Sequence, residues 1–122
     1  MKKILVLDDN LDILNVVEEA LAYEHFTVKA LSSSAGFMQI ILDFLPDLVL
    51  LDYRLADGNG GKLCRQIKTH AKLNHIPVVI FTAYPFKDTE IKETSCDAVI
   101  AKPFDLEEFF EKINSLLTSD LV

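Results

Sequence analysis

Acidic, hydroxyl and amino side chains follow four apolar segments of this chain, at the point where each segment ends. Asp8 and Asp9 follow the first segment, and Asp52 follows the second. Thr82 and Lys102 stand at the ends of the other two. Carboxylates that gather in one place raise one another's pKa, and a hard divalent cation such as Mg²⁺ relieves their repulsion. Because phosphate oxygens usually complete the coordination shell of protein-bound Mg²⁺, this set of side chains indicates phosphoryl chemistry.

The roles within such a site follow from the chemistry of each side chain. Asp52 is the predicted nucleophile, and a transferring phosphoryl group also needs fixed cationic and hydrogen-bonding partners. The ammonium of Lys102 and the hydroxyl of Thr82 would supply them. Each residue also has a plainer interpretation, since Asp9 or Asn10 could cap a helix and Lys102 could be an ordinary surface lysine. Their joint occurrence at the ends of different strands favours the functional interpretation.

Strand-like segments alternate with helical segments along the whole chain. This alternation predicts a doubly wound α/β fold, with a parallel five-stranded sheet covered by helices on both faces. The expected strand order is 2-1-3-4-5, the flavodoxin-like arrangement, which binds ligands at the carboxyl ends of the first and third strands. That topology would bring the three acids together. The predicted strands are Ile4–Leu7, Thr27–Leu31, Leu48–Leu51, Val78–Phe81 and Ala98–Ala101.

Apolar residues at helical spacing predict four helices, and a weaker signal predicts a short polar helix around Lys87–Thr94. Asp105 is expected to cap the last helix. The residues predicted to face inward are Leu14, Val17 and Leu21 in the first helix, Phe37, Ile40, Ile41 and Phe44 in the second, Leu63 and Ile67 in the third, and Leu106, Phe109, Phe110, Ile113, Leu116 and Leu117 in the last.

Size and charge limit the class of protein. The 122 residues, half of them hydrophobic and a quarter charged, predict one soluble globular domain over residues 1–122. No apolar run reaches the length of a membrane span or a signal peptide, so a cytoplasmic location without membrane contact is expected. The formal net charge of -7 argues against direct binding of nucleic acid, which needs a basic surface.

Cysteine and histidine spacing gives no sign of a transition-metal site. Cys64 and Cys96 are far apart in the sequence and are expected to be reduced, buried thiols. The three histidines match no zinc-binding pattern.

Three other phosphate- or metal-binding classes fail on single residues. A haloacid-dehalogenase-type phosphatase needs a second Asp two residues after Asp52, where this chain has Arg54. A Walker loop would need Gly at Ala56 and Ser or Thr at Leu63, and a calcium loop would need Gly at Lys62.

The motifs VLDDN, LLDYRL, FTAY and AKPF, at the ends of four strands, resemble those of response-regulator receiver domains of two-component signalling, and the resemblance runs from Lys3 to about Leu117. It implies that Asp52 accepts a phosphoryl group from a sensor histidine kinase or a histidine phosphotransfer protein. Such a domain is a phosphoacceptor that promotes its own phosphotransfer and dephosphorylation, and is not an enzyme in the ordinary sense.

The same resemblance implies a ligand set. Mg²⁺ would be held by Asp9, Asp52 and the backbone carbonyl of Arg54, with Asp8 acting partly through water. Lys102 would pair with the phosphoryl oxygens, Thr82 would close onto them, and the Lys102–Pro103 peptide bond would be cis. The resemblance also implies a downstream partner, which is a target protein or an output domain. It leaves undecided whether the domain forms a homodimer. The alternative function is a receiver-like module that binds proteins without being phosphorylated.

Several positions depart from the family's usual pattern. Ala56 replaces a proline after the phosphoacceptor, although Gly60 keeps the glycine that follows, and Ser95-Cys96 replaces a Gly-Ala pair. Val99 replaces the usual aromatic residue of the last strand, and valine is short and stiff at its first torsion.

The valine at position 99 leads to one expectation about signalling, and the bulky residues beside the site lead to a second. Coupling to the surface should depend less on the last strand and more on the loop Tyr84-Pro85-Phe86 and the helix after it. Arg54 and Tyr84, each two residues beyond a site residue, should overhang the phosphoryl group and lengthen its lifetime.

Overall fold

The computed structural model describes residues 1–55, 58–83 and 95–118. Its main sheet has five parallel strands: β1 (Lys3–Leu7), β2 (Thr27–Leu31), β3 (Leu48–Leu51), β6 (Val78–Thr82) and β7 (Ala98–Ala101). A separate antiparallel hairpin pairs β4 (Arg54–Leu55) with β5 (Gly58–Asn59). The order in the main sheet is β2-β1-β3-β6-β7. Because β6 and β7 are the fourth and fifth strands of that sheet, the predicted flavodoxin-like order 2-1-3-4-5 is confirmed.

Burial along the strands follows their place in the sheet. Every residue of β3 and β6 is buried, as is Ile4–Leu7 of β1, because helices cover both faces of the central strands. By contrast, β2 and β7 lie at the edges and keep exposed residues. Continuous apolar runs therefore mark the centre of the sheet, and alternating sequence marks an edge.

The helices are α1 (Leu11–Tyr23), α2 (Phe37–Phe44), α3 (Gly60–Thr69) and a C-terminal helix (Leu106–Thr118). They divide between the two faces of the sheet. One apolar cluster joins α1 and the C-terminal helix to alternate strand residues such as Val6 and Leu50. A second cluster joins α2 and α3 to the intervening residues, such as Leu5 and Leu51. The doubly wound architecture is thus visible in the alternation of side chains along each strand.

Most of the predicted inward-facing positions are buried or half-buried, but Leu106 was assigned wrongly. Its side chain is 44% exposed, whereas Phe109, Ile113 and Leu117 form the buried face of the same helix. Leu106 lies in the first turn, beyond the carboxyl end of β7, where the sheet no longer provides a partner. Asp105 does cap this helix, since its Oδ1 accepts the Glu107 N–H at 2.7 Å.

The predicted polar helix around Lys87–Thr94 lies outside the described residues. Among the described helices, none has both the length and the apolar composition that a membrane crossing would require.

Candidate functional site

The predicted site residues meet at the carboxyl edge of the main sheet. Because β1 and β3 pair in parallel with Leu7 beside Leu51, the residues that follow them, Asp8 and Asp52, are neighbours. The Asp52 N–H donates to the Leu7 carbonyl at 3.0 Å and continues that pairing. Carboxylate oxygens of Asp8, Asp9 and Asp52 lie within 4.8 Å of one another. Two neighbouring buried strands thus end on acids at the same edge of the sheet.

Lys102 bridges two of these acids. Its Nζ donates to Asp8 Oδ2 at 2.7 Å and to Asp52 Oδ2 at 3.3 Å. Asp8 is fully buried and Asp52 is 8% exposed, so two carboxylates stand where ionisation would be costly without a cation. The ammonium also lies over the ring of Phe81, 4.7 Å from its centroid, and makes a cation–π contact with it.

Thr82 completes the edge as the last residue of β6 and is 3% exposed. The backbone N–H of Lys102 donates to the Thr82 carbonyl at 2.9 Å, so the ends of β6 and β7 are tied together beside the acids. The Lys102–Pro103 peptide bond is cis.

Asn10, and not Asp9, caps the first helix. Its side-chain oxygen accepts the N–H groups of Asp12 at 3.0 Å and Ile13 at 3.2 Å. The Asn10 N–H in turn donates to Asp8 Oδ1 at 2.9 Å. Both oxygens of Asp8 are therefore engaged by protein donors.

Burial raises the pKa of Asp52 above its ordinary value, the nearby ammonium of Lys102 lowers it, and the negative charge of Asp8 raises it. Removal of Lys102 would therefore leave only groups that favour the protonated acid. Lys102 thus favours the ionised form of Asp52, which is the form that can act as a nucleophile.

Gly60 lies directly against the backbone that carries Asp52. Its N–H donates to the Tyr53 carbonyl at 2.8 Å. A Cβ atom at this position would overlap the Asp52 carbonyl oxygen and lie 2.9 Å from the Asp52 carbonyl carbon. The side chain of Asn59 caps α3 by accepting the Gly61 N–H at 2.7 Å. The start of α3 is thereby fixed against the segment that carries Asp52, a role for Gly60 that the sequence does not reveal.

Sequence reasoning also missed Phe81 as a partner of Lys102. The register could have indicated it, because β6 and β7 pair with Thr82 beside Ala101. Lys102 therefore leaves β7 next to the end of β6, within reach of the ring that precedes Thr82.

Asp9 and Asp52 line a groove of about 490 Å³, which we call the acidic groove. A second groove, of about 480 Å³, shares Ile13, Ala83 and Lys102 with it and is lined mainly by apolar side chains. It continues along α1 to Val16, which is 54% exposed, and to Leu106 at the start of the C-terminal helix. The residues around the acidic groove are Asp9, Asn10, Ile13, Asp52, Arg54, Thr82, Ala83 and Lys102.

The donor atoms of the acidic groove fit Mg²⁺ better than a softer metal. The cluster consists of carboxylates, with neither imidazole nor thiolate among its three members. Magnesium takes few protein carboxylates and keeps several waters, and a half-open groove accommodates that shell.

Known proteins are similar to this chain in both sequence and fold. The family described as response regulator receiver domain matches residues 4–114. The polar-differentiation response regulator DivK of Brucella ovis is 31% identical over 121 residues, covering 95% of this chain and 96% of DivK. The transcriptional regulatory protein GltR of Pseudomonas aeruginosa is 31% identical over 118 residues, which cover 95% of this chain but 49% of GltR. The chain thus spans about half the length of that relative.

A solved structure shows the same fold with ligands bound. The response regulator TrrA of Thermotoga maritima, in complex with Mg²⁺ and BeF, superposes with a TM-score of 0.84 at 25% identity, covering 95% of this chain and 99% of TrrA. The sheet order and the acidic edge define a receiver-type signalling domain. The chain belongs to the response regulator receiver domain family.

Proposed function

We propose that Asp52 accepts a phosphoryl group from a phosphohistidine of a sensor histidine kinase or a histidine phosphotransfer protein, in a reaction that depends on Mg²⁺. The observation that carries the proposal is the ammonium of Lys102 between two buried carboxylates, one of which opens into a groove. Such an arrangement keeps one carboxylate ionised and places a cation where phosphoryl charge would develop.

In the proposed transfer, an oxygen of Asp52 attacks the phosphorus atom of the donor. A phosphorus–oxygen bond forms as the phosphorus–nitrogen bond breaks, and the electron pair of that bond goes to the imidazole nitrogen. Lys102 would exchange its contact with Asp52 for the phosphoryl oxygens, and Thr82 would donate its hydroxyl to another of them. Both side chains already lie at the ends of strands that the backbone holds together.

The metal would be held by Asp9, Asp52 and the backbone carbonyl of Arg54, which follows Asp52 into the hairpin. Asp8 would contribute through water, because both of its oxygens already accept hydrogen bonds from protein donors. When bound, Mg²⁺ neutralises the charge that gathers on the acids and the phosphoryl oxygens.

The apolar groove supports a protein as the donor. It shares three residues with the acidic groove and continues along an exposed part of α1 that includes Val16, which is 54% exposed. A phosphohistidine carried on a helix could rest there with its imidazole directed at Asp52. A small phosphodonor would need only the acidic groove.

We expect Val16→Glu to slow transfer from a phosphohistidine protein by about tenfold, equivalent to about 1.4 kcal/mol, because it places a charge on the apolar groove. Transfer from acetyl phosphate should keep its wild-type rate. Radiolabel transfer followed in rapid-quench experiments would measure both rates. Tyr23→Glu, at the far end of α1 and 82% exposed in the wild type, is the matched control and should change neither rate. Equal slowing with both donors would contradict the role of the groove.

Arg54 is proposed to lengthen the lifetime of the phosphoryl group. It lines the acidic groove two residues beyond Asp52, where its side chain can obstruct an in-line water. Arg54→Ala should therefore speed dephosphorylation, by about threefold to tenfold, and Arg65→Ala on the exposed face of α3 should not. Loss of the label with time measures this, and an unchanged or slower rate in Arg54→Ala would refute it. Tyr84, the other residue assigned this role, lies outside the described residues.

Signalling is proposed to follow from the movement of Thr82 and Lys102 onto the phosphoryl oxygens. Val99 is half-buried, and its carbonyl accepts a hydrogen bond from Lys112 Nζ at 3.1 Å. It has no ring to exchange between two positions. The loop Tyr84–Phe86 and the helix around Lys87–Thr94, proposed as the alternative route to an output partner, lie outside the described residues.

A further inference from the structure

Two thiols lie on the same face of the sheet, the one that α2 and α3 cover. Cys64 is a fully buried member of the apolar cluster beneath α2 and α3, and the half-buried Cys96 packs against that same cluster. Cys96 precedes β7, whereas Lys102 follows it, so the length of the strand separates Cys96 from the acidic site. The two cysteines are not joined by a disulfide.

An ion pair brings the segments that carry the two thiols together. Lys68, one helical turn after Cys64, lies with its Nζ 2.6 Å from Asp97 Oδ2, and Asp97 is the neighbour of Cys96. Residues four apart share one face of a helix, so the side of α3 that bears Cys64 turns toward the start of β7.

Hydrogen bonds to backbone groups hold both members of the Lys68–Asp97 ion pair in place. Lys68 Nζ also donates to the Ile76 carbonyl at 2.8 Å, and Asp97 Oδ2 accepts the Val78 N–H at 2.7 Å. The Asp97 N–H donates to the Val78 carbonyl at 2.8 Å. The segments on which the thiols stand therefore cannot separate without breaking several hydrogen bonds.

The two thiols differ in reactivity. The pKa of the Cys64 thiol is raised to about 12, first by burial and then by the neighbouring Cys96 thiol, with a smaller opposing effect of Lys68 and a small additional rise from Asp97. Cys64 is thus protonated and shielded at neutral pH and is inert toward oxidants from solution. Cys96, which retains solvent exposure, is the thiol that an oxidant reaches first.

We propose that Cys64 and Cys96 are a redox-sensitive pair that a peroxide converts to a disulfide linking α3 to the start of β7. The sulfur of Cys96 attacks one oxygen of hydrogen peroxide, the O–O bond breaks, and Cys96 becomes a sulfenic acid with release of water. The sulfur of Cys64 then attacks the sulfenic sulfur. The S–O bond breaks, and the departing hydroxide takes up the Cys64 proton as a second water. Two thiols are oxidised and one peroxide is reduced to two waters.

The link would join two elements that carry the phosphoacceptor site. The first residue of α3, Gly60, lies against the backbone of Asp52, and β7 leads to Lys102. A covalent bond between these elements would hold the site's supporting frame in one arrangement. The thiol chemistry itself does not depend on phosphorylation of Asp52.

The test is oxidation of the intact chain with hydrogen peroxide, followed by acid quenching, alkylation and intact-mass and peptide analysis without reductant. The folded chain should lose two hydrogen atoms and give a linked Cys64–Cys96 peptide, and dithiothreitol should reverse both changes. Cys64→Ala should instead yield a Cys96 sulfenic acid that dimedone captures, and Cys96→Ala should remain unmodified under the same conditions.

Comparison with the unfolded chain decides whether the fold pairs the thiols. An unfolded chain closes a long loop to join them, so in urea the linkage following sulfenic acid formation should be at least about tenfold slower. Equal or faster linkage in urea would overturn the proposal. So would a folded chain in which peroxide gives only oxygen adducts or dimers linked through Cys96.

Discussion

Replacing Lys102 with alanine should both destabilise the protein and slow phosphoryl transfer to Asp52. The substitution leaves Asp8 and Asp52 buried without the ammonium that contacts them at 2.7 and 3.3 Å, and breaking a buried pair in this way costs about 3–5 kcal/mol. The transferring group would lose its cationic partner, which we expect to lower the transfer rate by about 100-fold. Urea denaturation and acetyl phosphate labelling measure the two effects.

The stability of Lys102→Ala should depend on pH with a definite sign. Without Lys102, burial and Asp8 both raise the pKa of Asp52, so the folded state retains a proton that the unfolded state releases. The free energy of unfolding then falls as pH rises, and the deficit relative to wild type should be larger at about pH 8 than at about pH 5. Mg²⁺ should restore part of the lost stability.

Lys68→Ala is the matched control for Lys102→Ala. It removes an ammonium from a contact of 2.6 Å with Asp97, but at the amino end of β7 and with more solvent exposure. Its loss of stability should be smaller, about 1 kcal/mol, and phosphoryl transfer should keep its wild-type rate. If Lys102→Ala were as stable as Lys68→Ala and remained active, the assigned role of Lys102 would be wrong.

Gly60→Ala should displace Asp52, the proposed phosphoacceptor. The added Cβ would overlap the Asp52 carbonyl oxygen and stand 3.1 Å from Tyr53 Cα, so backbone atoms and not a flexible side chain must move. Overpacking of this kind costs about 1–3 kcal/mol. Because small misplacements of reacting groups are costly, we expect phosphoryl transfer to fall by about 10- to 100-fold and Mg²⁺ affinity to weaken.

Gly58→Ala, in the hairpin that immediately precedes Gly60, provides the control. A Cβ there would meet only Ser34 Oγ, at 3.7 Å, which is ordinary contact. The variant should retain the transfer rate and metal affinity of the wild type. A Gly60→Ala protein with normal labelling would show that the close approach of α3 to Asp52 is not needed.

The sheet could be predicted from the sequence because two features mark its strands. One is the apolar run, and the other is the polar residue that ends the run. Thr27–Leu31, Leu48–Leu51 and Ala98–Ala101 have the predicted bounds, and the other two strands differ by one residue. The meeting of the acids followed from topology alone, since parallel strands in this order bring Asp8 and Asp52 to one edge.

What the sequence did not reveal depends on atomic contact between distant segments. The choice between Asp9 and Asn10 as the helix cap required the hydrogen bonds of Asn10. The exposure of Leu106 depends on where the sheet ends beneath the helix, which helical spacing does not encode.

Backbone conformation adds a further case. Ser95 has a φ of 62°, a left-handed conformation that glycine adopts more readily than serine.

One measurement tests most directly whether Asp52 accepts a phosphoryl group with the help of Mg²⁺. The intact mass of the chain should be recorded after incubation with acetyl phosphate, with Mg²⁺ and with a chelator, for the wild type and for Asp52→Asn. We expect the wild type to gain a single phosphoryl group only when Mg²⁺ is present and Asp52→Asn to gain none. Labelling that persists in Asp52→Asn, or a wild type that stays unlabelled with Mg²⁺, would contradict the account.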